Sequence, residues 1–183
     1  MKTLSLVLAL ALATPAFALP ENTPVPGGVA VIDLGPASQP APTARRGEQS
    51  LAVVKDSGRW FALFGIPLDT VPGETEINVF SGSTAPGTKY PWGTTVRKVA
   101  VRAKAYSEQR LTIKDKRKVD PDPDDLARIA REREITDAIK RRFSTDMPET
   151  DFALPANGPL SSRFGLRRIF NGQATSPHGG TDF

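Results

Sequence analysis

The only histidine of the chain, His178, lies in the sequence His-Gly-Gly-Thr-Asp and is followed four residues later by Asp182. Histidine nitrogen is a common zinc ligand, and a carboxylate at this spacing can supply an oxygen to the same ion. A catalytic zinc normally has three protein ligands and one open position. We therefore predict that His178 and Asp182 bind Zn²⁺ as two of three ligands, and we identify no catalytic residue in this chain.

Two further patterns precede this pair. Residues 162–167 read Ser-x-Phe-Gly-x-Arg, and an Asn-Gly turn follows at 171–172. Together with the His-x-Gly-x-Asp pattern of 178–182, and in this order, they resemble the start of the lysostaphin/LytM-type zinc endopeptidases. The resemblance implies a compact antiparallel β fold for the peptidase domain and peptidoglycan as the substrate.

The resemblance also extends over the preceding part of the chain. Residues 25–29, 65–68 and 106–111 are similar to the N-terminal β-sandwich domain of some Gram-negative members of that family. By position, His178 and Asp182 would be its first two zinc ligands. The third ligand of the family lies in a later His-x-His motif, which a chain with one histidine lacks. The resemblance thus implies an incomplete N-terminal fragment that is inactive by itself.

The first 18 residues have the pattern of a secretory signal. Lys2 is followed by an apolar run over residues 4–13 and by an Ala-Phe-Ala cleavage pattern that ends at Ala18. The run is shorter than the ~20 residues that a bilayer requires, so we expect removal of residues 1–18 and no stable membrane span. The absence of cysteine fits a bacterial exported protein, and we expect a location in the Gram-negative periplasm. Export argues against a nucleic-acid partner, although the charge is mildly positive.

Residues 19–116 have the pattern of an all-β domain. Short apolar runs are separated by turns rich in glycine and proline, and residues 76–80 alternate between polar and apolar. This spacing predicts an Ig-like antiparallel β-sandwich, closed by a strand over 110–113; a small open barrel is the alternative.

The spacing of apolar residues changes from strand-like to helical in the connector, which spans residues 117–147. Asp122 is expected to cap a helix of about 123–143, with Pro123 in its first turn and basic residues in its last. Its apolar residues form two separate faces on either side of a charged stretch. Either the helix packs on a different body at each end, or it is a solvated helix with a slight break near residue 132.

Residues 148–183 are expected to be the truncated start of the peptidase domain, because so few residues cannot bury a sufficient core. Arginine suits carboxylates, and exposed tryptophan suits sugars, so substrate binding is a hypothesis for Arg163, Arg167, Arg168 and Trp92. The alternative is that these are surface or salt-bridging side chains.

Three functions agree with these observations. The first is an exported zinc endopeptidase that cleaves cross-links or stem peptides of peptidoglycan. The second is a non-catalytic LytM-domain regulator of cell-wall amidases, and the third is a periplasmic β-sandwich binding module. The oligomeric state cannot be inferred from the sequence.

Overall fold

A computed structural model describes residues 19–82, 93–144 and 152–183. The expected signal at residues 1–18 and the predicted substrate residue Trp92 lie outside these ranges. Within them, no helix combines the length and the apolar character needed to cross a bilayer. The mainly β class predicted from the sequence is confirmed, with a six-stranded antiparallel sheet, a small mixed sheet and a single α-helix in the described residues.

Six strands form the first sheet in the order β1-β4-β3-β2-β5-β6, and every neighbouring pair is antiparallel. Their bounds are β1 Val29–Pro36, β2 Thr43–Arg46, β3 Gln49–Asp56, β4 Arg59–Gly65, β5 Gly73–Ser81 and β6 Gly93–Val101.

The sheet folds over a single apolar core. Ala30 of β1 and Val101 of β6 belong to the same buried cluster, although these are the two edge strands of the sheet. β3 takes part in both halves, because residues 49–51 pair with β2 and residues 52–56 pair with β4. The two halves therefore pack face to face as a sandwich, and among the described residues no ladder joins β1 to β6 into a closed barrel.

Strand β2 was not expected from the sequence, because the segment before it, residues 36–42, is rich in proline. It has only four residues, two of them arginine, yet it lies in the middle of the sheet between β3 and β5. Ala44 alone faces the core fully, at 1% exposure. The residue that indicates strand β2 in the sequence is Gly47. It has a φ of 54° and begins the two-residue hairpin turn that leads into β3.

Helix α1 spans Pro123–Lys140 and begins where the sequence predicts. The side chain of Asp122 accepts a hydrogen bond from the Asp125 amide, which is the expected N-cap contact. The helix ends three residues earlier than the expected Phe143. It runs without a break, and none of its side chains is buried against the rest of the described chain. This arrangement agrees with a solvated helix rather than with a connector packed at both ends.

A second, three-stranded sheet has the order β7-β8-β9, with β7 at Glu108–Leu111, β8 at Arg167–Phe170 and β9 at Gln173–Ala174. β7 runs parallel to β8. The expectation that residues 110–113 close the sandwich is therefore wrong, since this strand belongs to the sheet that precedes His178. Parallel partners so distant in sequence leave no local signal.

Candidate metal site

The two patterns that the sequence singled out pair with each other along the backbone. The Gly165 amide donates to the His178 carbonyl at 2.8 Å, and the His178 amide donates to the Leu166 carbonyl at 2.9 Å. Further along, Ser162 and Asp182 form an antiparallel bridge, in which the Asp182 amide donates to the Ser162 carbonyl at 2.9 Å. Backbone hydrogen bonds thus hold both candidate ligands against the same neighbouring segment, residues 162–166.

The candidate ligand atoms face each other closely. His178 Nε2 lies 3.2 Å from Asp182 Oδ1, with the two side chains 19% and 51% exposed. The nitrogen is itself buried and has no hydrogen-bond partner in the described structure. Ligand bonds of ~2.0–2.2 Å at tetrahedral angles place two zinc ligands about 3.3 Å apart. The pair therefore suits one edge of a zinc tetrahedron, and a buried nitrogen without a hydrogen bond is a suitable donor for a metal ion.

The described residues do not provide a complete set of ligands. They contain no group of three histidine, cysteine, aspartate or glutamate side chains that could hold a metal. A second histidine is also absent from the sequence. Two donors fit zinc, whereas a third would have to come from elsewhere.

No steric contact in the described structure requires glycine at the two positions directly after His178. Neither Gly179 nor Gly180 has a positive φ, and a Cβ on Gly180 would come no closer than 3.9 Å to the His178 ring. The backbone bends at Gly180, between the two candidate ligands.

Ser162 supports the segment that carries Asp182, a role that no pattern in the sequence indicates. It is the one polar residue buried in the described structure, at 5% exposure. Its hydroxyl accepts a 2.8 Å hydrogen bond from Nη2 of Arg168. Arg168 is thus engaged in a contact within the protein, with a residue of the Ser162–Asp182 bridge itself.

The other predicted substrate residues are not brought together. Arg163 is exposed and borders the groove between residues 104–109 and 160–166. Arg167 is also exposed, but it borders a different cleft beside Pro26 and Leu68. The three arginines therefore do not form one described surface, and substrate binding by each of them, as by Trp92, stays a prediction.

The Asn-Gly turn lies at the end of β8 and is confirmed. Asn171 has a φ of 51° and Gly172 a φ of 86°, as a two-residue hairpin turn requires. The Asn171 side chain accepts from the Ile113 amide at 2.8 Å and donates to the Ile113 carbonyl at 3.0 Å. This residue thereby ties the segment after β7 to the peptidase-like part of the chain.

Comparison with known proteins agrees with this architecture. Residues 22–88 match the N-terminal domain of peptidase family M23. The fold also resembles the crystal structure of a provisionally assigned peptidase M23 from Pseudomonas aeruginosa, with a TM-score of 0.57 and 36% sequence identity. That similarity covers 79% of this chain and 52% of the solved one, so the chain spans about half the length of that structure. No curated protein matches the chain. The matched domain, the fold and the paired motifs together show that this chain belongs to the M23, LytM-type family of peptidases.

Proposed function

We propose that the protein is an exported zinc metalloendopeptidase that hydrolyses peptide cross-links or stem peptides of peptidoglycan. The observation that carries this proposal is the His178–Asp182 pair, with its 3.2 Å separation and its buried, unpartnered nitrogen. Membership of the M23 family supports a peptidase, and the leader pattern of residues 1–18 and the lack of cysteine support export.

Each residue has a distinct part in this proposal. His178 Nε2 and Asp182 Oδ1 hold the ion, and the backbone bonds from residues 162–166 keep both side chains on one side of the segment. When bound, zinc supplies Lewis acidity to a scissile peptide carbonyl. Arg163 and Arg167 are exposed cations, which suit contacts with the carboxylates of stem peptides.

One observation favours a second function. The described residues lack a third ligand, which a regulator of cell-wall amidases with a non-catalytic LytM domain would not need. The retention of both His178 and Asp182 argues for the peptidase, since a domain without metal has no physical requirement for that pair.

The reading frame that follows Phe183 distinguishes the two functions. A His-x-His pattern within about one domain length of ~100 residues supports the peptidase, and a folded continuation without it supports the regulator. Assays on purified peptidoglycan with added zinc complete the test. The 183-residue chain is expected to release no muropeptides above a His178→Ala control, and release above that control would refute the two-ligand interpretation.

A further inference from the structure

The segment after the sandwich becomes part of a second unit, which consists of strands β7–β9 and the paired segments 162–166 and 178–182 that carry the candidate ligands. The sandwich is the first unit. The Arg102 amide still bonds the Pro24 carbonyl beside the sandwich, at 2.9 Å. Five residues later, the Ser107 carbonyl accepts from the Arg167 amide at 2.9 Å, and β7 then pairs with β8. The chain therefore passes from one unit to the other between residues 102 and 107.

Tyr106 lies at this passage and contacts both units. Its hydroxyl donates a 2.7 Å hydrogen bond to the Pro26 carbonyl, eighty residues earlier in the chain. Its ring meets the Phe164 ring edge-to-face, with centroids 6.4 Å apart and planes at 76°. Such aromatic pairs stabilise a contact beyond the apolar area that they bury. Lys104 covers the ring, with its Nζ 4.8 Å from the centroid.

A glycine on each side makes room for this ring. Gly165 is buried, has a φ of +81°, and would overlap ring carbons of Tyr106 if it carried a Cβ. Gly27 has a φ of +79°, and a Cβ there would lie 2.6 Å from the Tyr106 hydroxyl and 2.7 Å from Phe164. Both glycines thus combine a left-handed backbone with a close approach to Tyr106. The ring is inserted between the two units and does not merely cover one of them.

The same glycine connects the ring to the candidate ligand. The Gly165 amide donates to the His178 carbonyl, so the backbone against which Tyr106 packs is hydrogen-bonded directly to the residue that presents Nε2. We propose that Tyr106 is a positioning residue: its ring fixes the Phe164–Gly165 backbone against the sandwich and thereby holds His178 in place. The inference rests on the proposed function only for the role of His178 as a ligand.

Amide hydrogen exchange in the 183-residue chain, without metal, tests the positioning directly. The rate at Gly165 is measured relative to that at Phe64, which lies in the sandwich core. Tyr106→Ala is expected to accelerate amide exchange at Gly165, relative to that at Phe64, by about tenfold or more. The reason is that loss of the ring locally opens the contact between the two units. Tyr106→Phe keeps the ring and is expected to retain most of the protection.

Phe61→Ala is the matched control, since it removes a half-buried aromatic ring of β4 in the sandwich. It is expected to change the exchange of Gly165 and of Phe64 in parallel. Unchanged Gly165 exchange in Tyr106→Ala, or the same relative acceleration in Phe61→Ala, would overturn the proposal. Tyr106→Phe that exchanges as fast as Tyr106→Ala would also overturn it, because the ring would then not be the positioning element.

Zinc binding provides a second readout, followed through the NMR signals of the single histidine. Loss of groups that orient ligands typically weakens metal affinity by 10–100-fold, and we expect Tyr106→Ala to weaken it by about tenfold. Equal affinity in wild type and Tyr106→Ala would contradict the positioning of His178. If wild-type His178 does not respond to zinc at all, the proposed function fails, whereas the exchange experiment still decides the role of Tyr106.

Discussion

His178 Nε2 and Asp182 Oδ1 lie 3.2 Å apart, although four residues of extended chain would span ~13 Å. The backbone bends at Gly180, between the two residues, and pairing with residues 162–166 fixes the two ends. The distance is close to the edge of a zinc tetrahedron, and the nitrogen has no other partner in the described structure. The geometry therefore fits two ligands of one ion.

Replacement of Arg168 by alanine tests the support of this segment. The change removes the 2.8 Å hydrogen bond to the buried Ser162 hydroxyl, and we expect it to lower the free energy of unfolding by about 1–3 kcal/mol. Urea unfolding measures the loss. Arg163→Ala is the control, because the Arg163 side chain is exposed and makes no described hydrogen bond, and we expect a change within about 0.5 kcal/mol. Equal effects of the two substitutions would refute a structural role for Arg168.

Asn171 connects the β7 segment to β8 by two side-chain hydrogen bonds, and its φ is positive. Asn171→Gly keeps the backbone conformation but loses both bonds, so we expect a loss of about 1–2 kcal/mol in unfolding free energy. Asn171→Ala adds the strain of a left-handed backbone and should cost about 1 kcal/mol more. Asn157→Gly is the matched control, since Asn157 also precedes a glycine but makes no described hydrogen bond. If Asn171→Gly is no more costly than that control, the bonds to Ile113 do not hold the segment.

The Asp33 carboxyl makes the stability of the sandwich depend on pH. Hydrogen bonds from the Arg59 side chain, at 2.9 and 2.6 Å, hold the pKa of the Asp33 carboxyl below its ordinary value of 3.8, and the Gly35 amide adds to this effect. Since the folded pKa is the lower one, the contribution to stability is present above pH 3.8 and is lost as the pH falls through the folded value.

Asp33→Asn is therefore expected to flatten the stability curve below about pH 4, in chemical unfolding followed from pH 2 to pH 6. Asp69→Asn, at an exposed loop carboxylate without a described ion pair, should leave the curve unchanged. A wild-type curve that Asp33→Asn does not alter would show that the Arg59 contact has no net effect on folding.

The elements that the sequence predicted correctly have local causes. Asp122 and Pro123 start α1 because cap chemistry acts within one turn, and the alternation of β5 buries Ile77 and Val79 on one face. β2 was missed because only Ala44 of its four residues faces the core fully. The pairing of β7 with β8 depends on contacts between residues almost sixty positions apart, which no local pattern encodes.

The candidate site shows the same division. His178 and Asp182 could be named from the sequence, because their side chains have the chemistry of ligands at a suggestive spacing. The role of Ser162 could not, since it follows from a bridge to Asp182 and a contact with Arg168 that only the folded chain provides. The role of Tyr106 likewise depends on contacts with Pro26, Phe164 and two glycines, which only the folded chain provides.

The most direct measurement of the central claim is a zinc titration of the 183-residue chain, followed through the imidazole signals of its one histidine. We expect the His178 signals to shift with a weak, saturable response, because the described residues supply only two ligands. Asp182→Asn should weaken that response by about tenfold or more, whereas Asp69→Asn, at an exposed loop carboxylate of the sandwich, should not. Imidazole signals that zinc leaves unchanged, or a response of equal strength in Asp182→Asn, would contradict the assignment of His178 and Asp182 as ligands of one zinc ion.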